Sequence, residues 1–139
     1  MIRSRPLANG TAVKTRKLMP GFEVWDIIKV PFPYTNRPVR QQRPALVVRV
    51  VVADGAPDLL WVLMVTSSAH RQWPQDVVIT DFAAAGLPAP SMVRTAKIAT
   101  IDASDAQAIG KLPTGNRVAV KAVLAEALSA LPNEAAADL

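Results

Sequence analysis

From Phe22 to Val30 the chain reads Phe-Glu-Val-Trp-Asp-Ile-Ile-Lys-Val. The partial alternation of apolar and polar residues, rich in β-branched side chains, predicts a strand over about residues 22 to 30. Pro31, Pro33 and Pro38 stop it, because proline has no N–H to give to a ladder, and the polar, basic stretch to Gln42 reads as a loop. Pro44 to Val52 is a near-continuous apolar run suited to a buried strand, closed by the turn pair Asp54-Gly55. A third strand is predicted over Leu59 to Ser67, a fourth around Asp76 to Thr80 and a fifth around Met92 to Asp102, with Gly86-Leu87-Pro88-Ala89-Pro90 as punctuation before the last. After Pro113 the apolar positions Val120, Val123, Leu124, Ala127, Leu128 and Leu131 recur at helical spacing, with Thr114 or Asn116 available as N-cap. This predicts a mainly β chain, a small barrel or sandwich with one amphipathic C-terminal helix packed on the sheet.

Composition adds limits to that picture. A length of 139 residues with 50% hydrophobic content supports one core and one domain. Residues 1 to 20 lack periodicity and read as a disordered basic extension, leaving 21 to 139 as the folded domain; a basic arm that grips RNA is the sharper alternative. The tail from Asn133 is expected to fray. With no cysteine and a single histidine, disulfides and thiolate metal sites are excluded and a protein-ligated zinc is disfavoured, so neither metal nor cofactor is expected. No apolar run approaches the roughly 18 residues of a bilayer span, and the N-terminus lacks the apolar stretch of a secretory signal. A cytoplasmic protein without a membrane partner is the expectation.

The net charge of +5 is unevenly spread. Arg3, Arg5, Lys14, Arg16 and Lys17 fall in the first twenty residues, which contain no acid, so the remainder carries eleven basic and eleven acidic residues. Within that neutral body, residues 27 to 53 hold Lys29, Arg37, Arg40, Arg43 and Arg49 and no acid. A phosphate-binding surface is expected there.

The chain has no Gly-rich phosphate loop and no Gly-x-Ser-x-Gly elbow. What remains is Arg43 at the start of an apolar strand, the hydroxyl cluster Thr66-Ser67-Ser68 at the end of the next, and His70 beside Arg71 just beyond. An arginine before a strand is often only a surface ion pair, and threonine is favoured in strands by packing alone. An imidazole has an ordinary pKa near 6.5, suited to proton transfer at neutral pH. Arg37 and Arg40, in the loop before Arg43, are placed to hold phosphates. Trp73 is a candidate for stacking on unpaired bases, whereas Trp61, within an apolar strand, is expected in the core.

These residues resemble, in order and spacing, the MazF/PemK (Kid) toxins of bacterial toxin–antitoxin pairs. The likeness runs from about Phe22 to Leu131. Trp25 to Asn36 is similar to the family's Gly-Asp-Ile-Val opening strand and the loop after it, Arg43-Pro44-Ala45-Leu46-Val47-Val48 to its Arg-Pro-x-x-Val strand, and Val65-Thr66-Ser67-Ser68 to its Val-Thr-Ser. Gly86-Leu87, Ser91 to Arg94, Thr100-Ile101-Asp102 and Gly110-Lys111-Leu112 complete the resemblance. It implies an SH3-like small β-barrel (CcdB/PemK-like) with a C-terminal helix, pairing as a homodimer. It also implies a metal-independent endoribonuclease that cuts single-stranded RNA by attack of the ribose 2'-hydroxyl, and a cognate antitoxin that blocks the RNA groove. Arg43 matches the family's catalytic arginine and Thr66 its partner threonine; Arg94 matches a phosphate contact. Ser67, Arg71 and Lys97 join Arg37, Arg40 and Trp73 as expected RNA-binding residues. The chain departs from the pattern at Trp25, where glycine is usual, at Ala96, where Kid-like members carry an acid, and at Ala99, where they carry an arginine. With no acid at Ala96, His70 is the remaining candidate base. A non-catalytic reading, a CcdB-like gyrase poison or a degenerate toxin that only binds its antitoxin, rests on the same absence.

Overall fold

The computed structural model describes residues 21–32, 41–52 and 54–132. Six strands, β1 (Asp26–Phe32), β2 (Gln41–Val51), β3 (Leu59–Ser67), β4 (Asp76–Val78), β5 (Ser91–Asp102) and β6 (Gln107–Lys111), form one antiparallel sheet, followed by a single helix, α1 (Thr114–Ser129). The strand order is β4-β5-β3-β2-β1-β6. The end strands β4 and β6 do not pair, so hydrogen bonding does not close the barrel. Instead the loop after β4 seals against β6. A side chain at Gly86, whose φ is +81°, would strike the carbonyl of Ile109, and one at Gly110 would strike that of Ala85, so the two backbones meet where only glycine fits.

The predicted strands appear with shifted ends. The first begins at Asp26 because residues 23 to 26 form a turn, with the Asp26 N–H donating to the Glu23 carbonyl at 3.1 Å and Trp25 in the left-handed region at φ +81°. The family glycine replaced by Trp25 therefore marks a backbone conformation that glycine adopts without strain. Here an indole packed against the core holds that conformation. β6 escaped the hydrophobic pattern: it is five residues long, contains Gly110, and pairs only with β1, across a register shift at Ile27/Ile28.

Alternation along the strands divides the apolar residues between the two faces of the sheet. One face buries Ile27, Leu46, Leu63, Val65, Val93 and Leu112 under α1, which contributes Val120 with Val123 and Leu124 at its margin. The other buries Ile28, Val30, Ala45, Val47, Leu60, Val62 and Met64. The helix differs from expectation at both ends. Neither Thr114 nor Asn116 caps it: Pro113 occupies the cap, and buried Asn116 accepts from the Thr80 N–H at 3.1 Å and donates to the Val78 carbonyl at 3.2 Å. That side chain ties α1 to the end of β4. Leu128 and Leu131 are exposed, so the apolar stripe is buried only over the first half of the helix.

Candidate functional site

Pro44 shapes the site. β2 lies between β1 and β3, yet its ladder to β3 ends at Ala45 opposite Met64, while pairing with β1 continues to Gln41. Proline's nitrogen has no hydrogen to extend the β3 ladder, so the strands part there. The next residues on the same face are Arg43 and Thr66. Both line an open groove of about 580 Å³ together with Lys29, Ser67 and His70, over apolar walls that include Val65, Leu87 and Ile109. Among the described residues, the groove's lining carries cations and hydroxyls and no carboxylate. Such a lining favours an anionic ligand.

The turn after β3 orders the hydroxyl cluster. The Ser67 carbonyl accepts from the His70 N–H at 3.0 Å, and its Oγ accepts from the Ala69 N–H at 3.1 Å. This curls the chain so that His70 Nδ1 lies 2.8 Å from Thr66 Oγ1. Arg43 is exposed, and its Nη2 donates to Gln41 Oε1 at 3.0 Å. Among the described residues no carboxylate pairs with it. A second, small crevice is lined by Arg43, Met64, Val65, Thr66, Arg94 and Lys97.

Arg94 differs from Arg43. It is buried, opposite Asp76 on β4 and Met64 on β3, and forms a 3.0 Å ion pair with Asp76, whose side chain is wholly buried. Its guanidinium also lies against the ring of Trp73. Trp73 and Arg71 are in the loop between β3 and β4, with Arg71 exposed. Trp61 is not in the core: it is 43% exposed, with Arg49 stacked 5.5 Å from its ring centroid.

The structure thus gathers Arg43, Thr66, Ser67 and His70 around one groove, with Arg94 and Lys97 behind it. Arg37 and Arg40, and the extension of residues 1 to 20, lie outside the described residues. Lys29 and Gln42 also line the groove. Lys29 belongs to the acid-free basic stretch, but on a strand of alternating pattern nothing local marks which exposed cation faces a groove. Among the described residues, no three histidine, cysteine, aspartate or glutamate side chains gather as a metal site, and no helix is long and apolar enough to cross a membrane.

Comparison with known proteins gives the family and the fold. The family model described as "PemK-like, MazF-like toxin of type II toxin-antitoxin system" matches residues 23–128. A crystal structure of MazE–MazF from Deinococcus radiodurans superposes with a TM-score of 0.60 at 19% identity, covering 81% of this chain and 97% of that one. That likeness establishes the fold. Comparison with curated protein sequences finds no match.

Proposed function

Because the chain belongs to the PemK-like, MazF-like toxins of type II toxin–antitoxin systems, we propose that its groove cleaves single-stranded RNA without a metal ion. The observation that carries this reading is the exposed Arg43 guanidinium, unpaired with any described carboxylate, in the groove that holds the Thr66–His70 pair. As the ribose 2'-oxygen bonds to phosphorus and the bond to the 5'-oxygen breaks, negative charge grows on the phosphoryl oxygens. A planar guanidinium beside them stabilises that transition state more than the ground state. With the His70 Nδ1–H donating to Thr66 Oγ1, the threonine hydroxyl is free to donate to a phosphoryl oxygen, and His70 Nε2 is free to take the 2'-hydroxyl proton. The leaving 5'-oxygen takes its proton from solvent. The acid absent at Ala96 is then not required.

Two partners belong to the same reading. One solved structure of similar fold is a MazE–MazF complex, and a cationic, apolar-walled groove suits an acidic or amphipathic antitoxin segment as well as RNA. Leu59, Trp61 and Ile98 form an exposed apolar strip on β3 and β5, a sheet face that a second copy in a homodimer would cover. The test is RNA cleavage in EDTA. The expected products carry 5'-hydroxyl and 2',3'-cyclic phosphate ends and disappear with Arg43→Ala. Intact RNA beside gyrase inhibition, or beside antitoxin binding alone, would overturn the nuclease in favour of a non-catalytic toxin.

A further inference from the structure

Arg94 is the residue that the family resemblance casts as a phosphate contact, but its guanidinium is already held from several directions. Nε and Nη2 donate to the Asp76 carboxylate at 3.4 and 3.0 Å, and Nη2 also reaches the Arg71 carbonyl at 2.7 Å. Cζ lies 3.9 Å from the centroid of the Trp73 ring. The backbone N–H of Trp73 donates to the same carboxylate oxygen, Asp76 Oδ2, at 2.8 Å, so Asp76 ties the indole's residue to the cation behind it. The following turn is pinned too, with the Thr95 hydroxyl donating to the Gln75 carbonyl at 2.9 Å and Gln75 at φ +70°. One face of the indole therefore rests on a buried cation, while 39% of the residue remains exposed. A rigid ring, backed on one side and open to water on the other, is a stacking surface for an unpaired base.

Taking the groove as an RNA site, we infer that Trp73 is a specificity-determining residue that stacks a nucleobase of the bound strand, purine in preference to pyrimidine. Arg94 is then a positioning residue that acts through Trp73. Arg94 connects the indole to the site, since it lines the crevice shared with Arg43 and Thr66 and lies against the Trp73 ring. The preference for purines follows from ring overlap, since a two-ring base covers more of the indole. A cation behind the ring adds to it by drawing π density away from the open face, which eases the approach of an electron-rich base.

The test measures binding of two short oligodeoxynucleotides of equal length, all adenine or all thymine, to the full chain by fluorescence anisotropy. Wild type is expected to bind the adenine strand several-fold more tightly. Trp73→Ala is expected to bind it about 10-fold more weakly than wild type and to lose the preference. Trp73→Phe keeps the preference, and Arg94→Lys, which retains the charge without the planar fork, reduces it. Because Trp73 is at the surface, its variants fold even if Arg94→Lys does not. A wild-type protein with no purine preference, or a Trp73→Ala protein that keeps it, overturns the inference. These strands lack the 2'-hydroxyl, so the result is independent of cleavage, and failure of the EDTA assay would sink the nuclease reading alone.

Discussion

Arg43 and Arg94 line the same small crevice, yet their surroundings are opposite. Arg43 stands in solvent on a stretch of strand that has lost one partner, held by a single amide oxygen. Arg94 is buried at a position paired on both sides, matched to a buried carboxylate, a carbonyl and an aromatic face. The difference follows from desolvation. A guanidinium removed from water must be compensated by a carboxylate and further hydrogen bonds, and a charge so compensated has little left for a substrate. One left in water beside a groove remains available to a charge that develops only in the transition state. Of two neighbouring arginines, the exposed one is fit for chemistry and the buried one for holding shape.

Several substitutions would break or sharpen that contrast. The largest effect is expected from Asp76→Ala, which leaves the Arg94 charge buried and unpaired: unfolding in urea should show a loss of about 3–5 kcal/mol. Arg43→Lys, by contrast, should leave the urea midpoint unchanged while lowering the cleavage rate at least about 100-fold, because an ammonium cannot make the planar, two-point contact of a guanidinium. Equal loss of stability in both variants would erase the distinction. Thr66→Val removes the hydroxyl that meets His70 but keeps the branched shape of the side chain; a rate loss of about 10-fold or more is expected in single-turnover cleavage, with the fold intact. Unchanged kinetics would remove Thr66 from the chemistry.

The smallest effect should come from an exposed ion pair. Lys111 donates to Asp26 at 2.7 Å and Glu23 at 2.9 Å, and these hydrogen bonds, Asp26 first, raise its pKa above the ordinary 10.5. A raised folded-state pKa means that this stabilisation is complete below pH 10.5 and is lost as pH rises through the folded value. Lys111→Met should therefore unfold slightly more easily at pH 8, by less than about 1 kcal/mol, and lose less additional stability than wild type between pH 10 and 12. Thermal melts across that range check it.

The elements that bury an uninterrupted apolar set were legible in the sequence. β3 spans Leu59–Ser67 as its pattern predicts, and β5 begins one residue early at Ser91, because in both the side chains decide the pairing. β6 was not legible: it is held by what lies opposite, Asp26 to Lys29 on β1, rather than by its own five residues. The helix cap was misread for a similar reason. Asn116 has the chemistry of a cap, but a strand end within reach offered it a better set of partners.

At the site, Arg43, Thr66 and His70, expected from residue type and the family resemblance, line one groove. Residue type and resemblance did not separate Arg94 from Arg43, nor Trp73 from Trp61, because exposure is a property of what packs against a side chain.

The sequence by itself determined the first five strands and which residues bear cations and hydroxyls. All of these follow from covalent structure and nearest neighbours. Only the tertiary structure decided which arginine is desolvated, that β6 and the Gly86 turn meet to complete the wall, and that an imidazole closes on a threonine four residues away. Each depends on contacts between distant segments or on a turn closed by packing, and the energies of such contacts are set by burial that no single segment carries.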